Sequence, residues 1–185
     1  MQHAATAIVP TRSLDHGQSD AAIGALIGLA VSDALGAPFE FGAAGEYRGQ
    51  YPEPVLGGVG EMTGGGGFRW APGEFTDDTQ MALALAESII ATRSLDLADL
   101  WQRWRDWAAS ANDVGSITGT ALSHEQHDGA AEAAHERLRR SAGNGALMRV
   151  APVGITFAAI DASDVTEQCM RVAHDQAALT HHDPA

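Results

Sequence analysis

The feature that most constrains this chain is a helical period that recurs along most of its length. From Ser19 to Pro38, in "SDAAIGALIGLAVSDALGAP", apolar residues fall at 23, 26, 27, 30, 31 and 34. That spacing marks one face of a helix. Ser19 is the expected N-cap, Gly36 the expected stop, and Pro38 follows it. The period returns after Thr76, with Met81, Leu85, Ser88 and Ile89 on one stripe. It returns again after Asp96, with Leu97, Leu100, Trp101, Trp104 and Ala108. Further helices are expected at about 116–124, 129–140, 145–159 and 163–177. No segment shows sustained strand alternation, so the fold class expected is all-α.

Residues 41–75 break the pattern. They are rich in glycine and proline and carry no sustained period, which reads as a long loop of the kind that is functional or disordered. Residues 1–18 lack an apolar core after a basic start and are expected to be a flexible tail rather than a leader. Residues 19–185 then form the folded part.

The chain has 185 residues, about one domain's worth, and 45% of them are hydrophobic. Its 24 acidic and 11 basic residues give a formal net charge of -13. That charge argues against a duplex nucleic-acid binder, which needs basic side chains to neutralise phosphates. It also argues against an anionic membrane surface. The longest apolar run, "AAIGALIGLAV", is too short to span a bilayer. A single cysteine, Cys169, cannot form an internal disulfide, so a reduced, cytoplasmic setting is expected.

The chemistry concentrates in "GGGGFRWAPGEFTDDTQ", where four glycines precede Thr76-Asp77-Asp78-Thr79. Capping is one reading: Thr76 accepts a backbone N–H, and acids in the first turn suit the helix dipole. Metal binding is the other. Successive side chains on a helix diverge by about 100°, so the two carboxylates can reach different ions. Clustered hard oxygens suit Mg²⁺ or Mn²⁺ rather than zinc. The zinc-protease reading of "HEQH" at 124–127 fails, because it is one residue short of H-E-x-x-H. Asp33 and Glu40 flank the end of the first long helix. They are either solvated acids or further acids of the same pocket. Asp113, before Gly115, is either a turn residue or a substrate contact. Gly143-Asn144-Gly145 is a turn whose backbone N–H groups can also receive phosphates, as can the glycines at 64–67. His181 lies near a ligand or at a helix entry.

Taken together, "GALIGLAVSDALGAPFEF", "FTDDTQMAL", "DVG", "GNGALMRVAPVGI" and "THHDP" resemble the ADP-ribosylglycohydrolase family, in family order and from residue 24 onward. The resemblance implies an orthogonal helical bundle and two Mg²⁺ (or Mn²⁺) ions. It implies hydrolysis of the glycosidic bond between ADP-ribose and a protein side chain or related acceptor. Thr76, Asp77 and Asp78 match the amino-terminal metal ligands. Glu40 and Asp113 match acids at the metal or the scissile region, and Asn144, Gly145 and His181 match the wall of the ADP-ribose pocket. The family pattern continues with a carboxy-terminal G-G-D-T-D-T-like segment, absent from these 185 residues. The expected partners are therefore an ADP-ribosylated protein or ADP-ribose derivative and a segment or second chain carrying the other half. Alone, the chain is expected to be unstable or to associate with that complement. The rival expectation is a catalytically silent member that binds ADP-ribose or serves structurally.

Overall fold

The computed structural model describes residues 6–53 and 62–183. Residues 1–5 of the expected tail, and Pro184, lie outside the described residues. The remainder of the tail is tied down. Strand β1 (Thr6–Ala7) pairs antiparallel with β2 (Ser94–Leu95) in the register Thr6 to Leu95 and Ala7 to Ser94. Ile8 is buried and its N–H bonds the Arg93 carbonyl at 2.8 Å. A pairing of two residues leaves too little alternation to be seen in a sequence.

Helix α1 spans His16–Gly36, and Asp15, not Ser19, is its N-cap. The Asp15 side chain accepts from the Gln18 N–H, and the Gln18 side chain accepts from the Asp15 N–H. This reciprocal capping box satisfies two donors one turn earlier than the apolar pattern begins. A single 3₁₀ turn, Ala37–Phe39, follows Gly36. The continuous helical stretch His16–Phe39 has 24 residues and is long and apolar enough to cross a membrane by length and composition. The expectation from the apolar run alone is thereby corrected, because the helix extends well beyond that run at both ends. In this structure it packs on α3 and α7.

Among its described residues, the expected loop 41–75 contains one short helix, α2 (Glu46–Gln50). Phe39 meets Tyr47 edge-on at 5.2 Å between ring centroids, and Tyr47 meets Tyr51 at 5.4 Å. The glycine run forms a tight turn closed by Gly65 and Trp70, whose N–H and C=O groups bond reciprocally at 2.8 and 2.9 Å. At Gly66, φ is +70° and an added Cβ would lie 2.6 Å from the Pro38 carbonyl oxygen. Glycine is required there by both conformation and close approach.

Helix α3 (Asp77–Thr92) occupies the centre and packs on α1, α4 (Leu97–Ala108) and α7 (Ala151–Phe157). Its stripe of Met81, Leu85 and Ile89 is buried against Leu100, Trp104 and Val153. Asp96 caps α4 by accepting from the N–H groups of Ala98 and Asp99, each at 3.0 Å. Helices α5 (Ser116–Leu122), α6 (Ala130–Leu138) and α8 (Val165–Ala178) complete the order. The single helix expected at 145–159 is broken. A 3₁₀ turn at Asn144–Ala146 is separated from α7, which begins at Ala151 with Pro152 in its first turn. Proline has no N–H to donate and its ring collides with the carbonyl four residues back, so it begins a helix rather than continuing one.

Candidate functional site

The amino end of α3 is capped from another helix. Thr76 makes no capping bond of its own. Asp33, on α1, accepts from the Thr76 N–H at 2.9 Å and the Thr79 N–H at 3.1 Å. It also accepts from the hydroxyls of Thr76 and Thr79, both at 2.7 Å. The expectation that Thr76 itself caps the helix is therefore corrected. The carboxylate that does so stands 43 residues earlier, and the threonine hydroxyls serve it as donors. Thr76 and Thr79 are buried, so these charge-assisted bonds form with little competing water.

This junction opens onto a cleft of about 720 Å³. Thr76, Asp77, Asp78, Glu40 and Asp113 line it, and so does Asp33. Asn144, Gly145 and His181 line it as well. These nine residues, all named in the sequence reading, are thus brought to one place. The glycines at 64–67 are not, since they serve the turn that docks on Pro38. His124 and His127 lie in the turn between α5 and α6, away from the cleft.

The acids perturb one another. Burial pushes Asp78 up to about 7, helped by Asp33, Asp77 and Glu40. Burial, then Asp113, raises Asp77, while the Thr76 hydroxyl and the Gly115 N–H partly offset this. Asp113 is raised by burial and then by Asp33. Glu40 is raised by partial burial and then by Asp113, Asp77 and Asp33. It stands exposed at the rim, so solvent screens its share of the repulsion. Among the described residues lining the cleft, none is Arg or Lys.

Five carboxylates with no cation among them form a donor set that fits hard divalent ions. The Thr76 hydroxyl fits too, because its hydrogen is directed to Asp33 and its oxygen can still donate a lone pair. Among the described residues, no three acid or histidine side chains already surround a single point as a completed metal site would. The donors present are therefore a partial set for such ions.

Two groups at this cleft have roles that the sequence reading did not give. Asp33 was one of two acids left open. Only its spatial pairing with Thr76 and Thr79 distinguishes it from a solvated helix residue. Arg149, fully buried behind the cleft, lies in an apolar helical pattern that gives no sign of a trapped cation.

Fold and cleft define a helical protein whose acid-rich pocket sits where two helices share one carboxylate. The chain belongs to the ADP-ribosylglycohydrolase family, whose sequence profile matches residues 14–185. It is 42% identical over 137 residues to the ADP-ribosyl-[dinitrogen reductase] glycohydrolase of Rhodospirillum rubrum, covering 74% of this chain and 44% of that one. It is 39% identical over 166 residues to the ADP-ribosylarginine hydrolase of Serratia proteamaculans, covering 81% and 42%. A solved ADP-ribosylglycohydrolase-related protein complex superposes with a TM-score of 0.60 at 34% identity, covering 89% of this chain and 50% of that one. The chain therefore spans less than half the length of these two curated relatives.

Proposed function

We propose that this chain supplies the amino-terminal share of an ADP-ribosylglycohydrolase. The complete protein hydrolyses the glycosidic bond joining ADP-ribose to a protein side chain. The observation that carries the reading is the convergence of Asp33, Glu40, Asp77, Asp78 and Asp113 on one cleft that Asn144, Gly145 and His181 also line. The names of two relatives, acting on dinitrogen reductase and on ADP-ribosylarginine, support a protein-borne substrate. The half of the relatives' length that this chain does not span would complete the ligand set, as part of the same polypeptide or as a partner.

Thr76, Asp77 and Asp78 would hold two Mg²⁺ or Mn²⁺ ions. Bound there, such ions orient and polarise the sugar and lower the pKa of water beside it. The chain's own groups divide the remaining work. Asp33 fixes the start of α3, and with it the directions of Asp77 and Asp78. Glu40 and Asp113 contact the ribose or move a proton at the scissile bond, a contribution of about 10²–10⁴ in rate. Departure of the acceptor leaves an oxocarbenium-like sugar, which the surrounding carboxylates stabilise. The Gly143-Asn144-Gly145 turn lets the pyrophosphate approach backbone N–H groups in a cleft otherwise hostile to anions.

Asp77→Asn in the complete protein is expected to abolish cation-dependent release of ADP-ribose from an ADP-ribosylarginine protein, with the far-ultraviolet circular dichroism unchanged. Undiminished turnover would remove Asp77 from the site. Calorimetry with ADP-ribose separates the silent-member reading, which requires binding without turnover in the unmutated protein.

A further inference from the structure

Behind the cleft, Arg149 is fully buried and, among the described residues, faces no carboxylate within ion-pair distance. A buried guanidinium out of contact with any carboxylate is costly; the Asp77 charge acts on it only from a distance, so every donor it directs matters. Its Nε donates to the Gln176 Oε1 at 2.8 Å, and its Nη2 to the Gln176 carbonyl at 3.0 Å and the Thr180 Oγ1 at 2.8 Å. Its Nη1 approaches the Met81 sulfur at 3.8 Å, and the guanidinium lies 3.9 Å from the centre of a Trp104 ring. Gln176 is held in turn by the carbonyls of Ala146 and Ala173.

Donor and acceptor chemistry constrains the proton directions along this chain of contacts. Arginine only donates, so Thr180 Oγ1 is an acceptor toward Arg149. Thr180 is fully buried, and among the described residues its hydroxyl has one other partner, His181 Nδ1, at 2.8 Å. Its single hydrogen must go there, or it would be left buried and unsatisfied. Nδ1 is therefore an acceptor, and the neutral ring carries its hydrogen on Nε2. His181 lines the cleft, and its Nε2 stands beside the Gly143–Gly145 turn. At Gly145 an added Cβ would lie 2.9 Å from the ring's Cε1 and 3.0 Å from Nε2, so the absent side chain makes room for the ring.

We propose that Arg149 and Thr180 are positioning residues that lock His181 as its Nε2–H tautomer, giving the acid-rich cleft a neutral hydrogen-bond donor that selects an acceptor oxygen on the ligand. For the identity of that ligand, a nucleotide sugar, the inference rests on the proposed function; for the tautomer it does not. Burial and then the nearby Arg149 charge push His181 down to about 4, so the ring stays neutral at physiological pH. A neutral donor contacts an oxygen without drawing the ring toward the carboxylates as an imidazolium would be drawn.

The test is a long-range ¹H–¹⁵N spectrum of the intact protein labelled on histidine nitrogen, with His181 assigned by loss of its signals in His181→Gln. Unmutated protein is expected to show an acceptor Nδ1 and a protonated Nε2 from about pH 6 to 8. Thr180→Val and Arg149→Met are each expected to mix the two tautomers, and Thr180→Ser to restore the single one. Thr180→Val should also weaken ADP-ribose binding about tenfold by calorimetry, with recovery in Thr180→Ser. A protonated Nδ1 in the unmutated protein, or an unchanged His181 signal in Thr180→Val, overturns the proposal. The first of these needs no variant to fold. If ADP-ribose fails to bind the unmutated protein while the tautomer is as stated, the functional reading falls and the positioning role stands.

Discussion

Helices α1 and α3 meet at the same carboxylate, yet they treat their apolar residues in opposite ways. On α3, Met81 and Leu85 are 0% exposed. On α1, Ile23 is 56% and Ile27 59% exposed, and Val31 is 45% exposed. Each helix has a regular apolar stripe, and both bring acids to the cleft. The difference shows that a hydrophobic period fixes which face of a helix is apolar but not whether something covers it. Among the described residues Ile23, Ile27 and Val31 form an exposed apolar row along α1, while Leu26 and Ala30 are half-buried and Ala34 is buried; such a row is more continuous than singly scattered surface apolar residues.

The sharpest way to break this comparison is to delete side chains on each helix. Leu85→Ala should cost about 2–5 kcal/mol, because it removes packed atoms and leaves a cavity between α3 and its neighbours. Urea midpoints at constant slope measure this, and a loss under about 1 kcal/mol would mean that α3 is not the organising core.

A smaller effect should appear at the acid end of α3, with the opposite sign. Asp78 holds its proton up to about pH 7 when folded, against an ordinary value of 3.8. The folded state therefore binds more protons than the unfolded state between those values, and stability falls as pH rises through that window. Asp78→Asn removes the charge. Without divalent cations it should stabilise the protein at pH 8 by about 1 kcal/mol, after allowance for solvent screening, and the gain should vanish toward pH 4. Added Mg²⁺ should raise the melting temperature of the unmutated protein more than that of Asp78→Asn. Equal shifts would remove Asp78 from the proposed cation site.

The smallest effect belongs to α1. Ile27→Glu should change stability by less than about 0.5 kcal/mol, as expected of a side chain already in water. A loss comparable to that of Leu85→Ala would show that the α1 face is covered in solution and would erase the contrast between the two helices.

The sequence carried much of this architecture because its signals are local. The helix expected to begin at Asp96 is present, with Asp96 as its cap. The α3 stripe reads as buried and is buried; on α4, Leu100, Trp101 and Trp104 are buried, whereas Leu97 and Ala108 at its two ends are half-buried. What escaped is non-local. The capping of α3 by Asp33 joins residues 43 positions apart, and no spacing rule reaches that far. The β1–β2 pair is two residues long. Arg149 resembles any helix-surface arginine until its neighbours are known. The residues at the cleft were legible through their order along the chain. Their electrostatics were not, since burial and mutual distance set those shifts.

Asp33 has one further consequence. Each residue advances an α-helix by about 100°, so a slip of one position would swing this carboxylate away from Thr76 and Thr79. The four hydrogen bonds it accepts therefore index α1 about its own axis. The bare stripe of Ile23, Ile27 and Val31 is aimed in a direction chosen by the same side chain that sets the heading of Asp77 and Asp78.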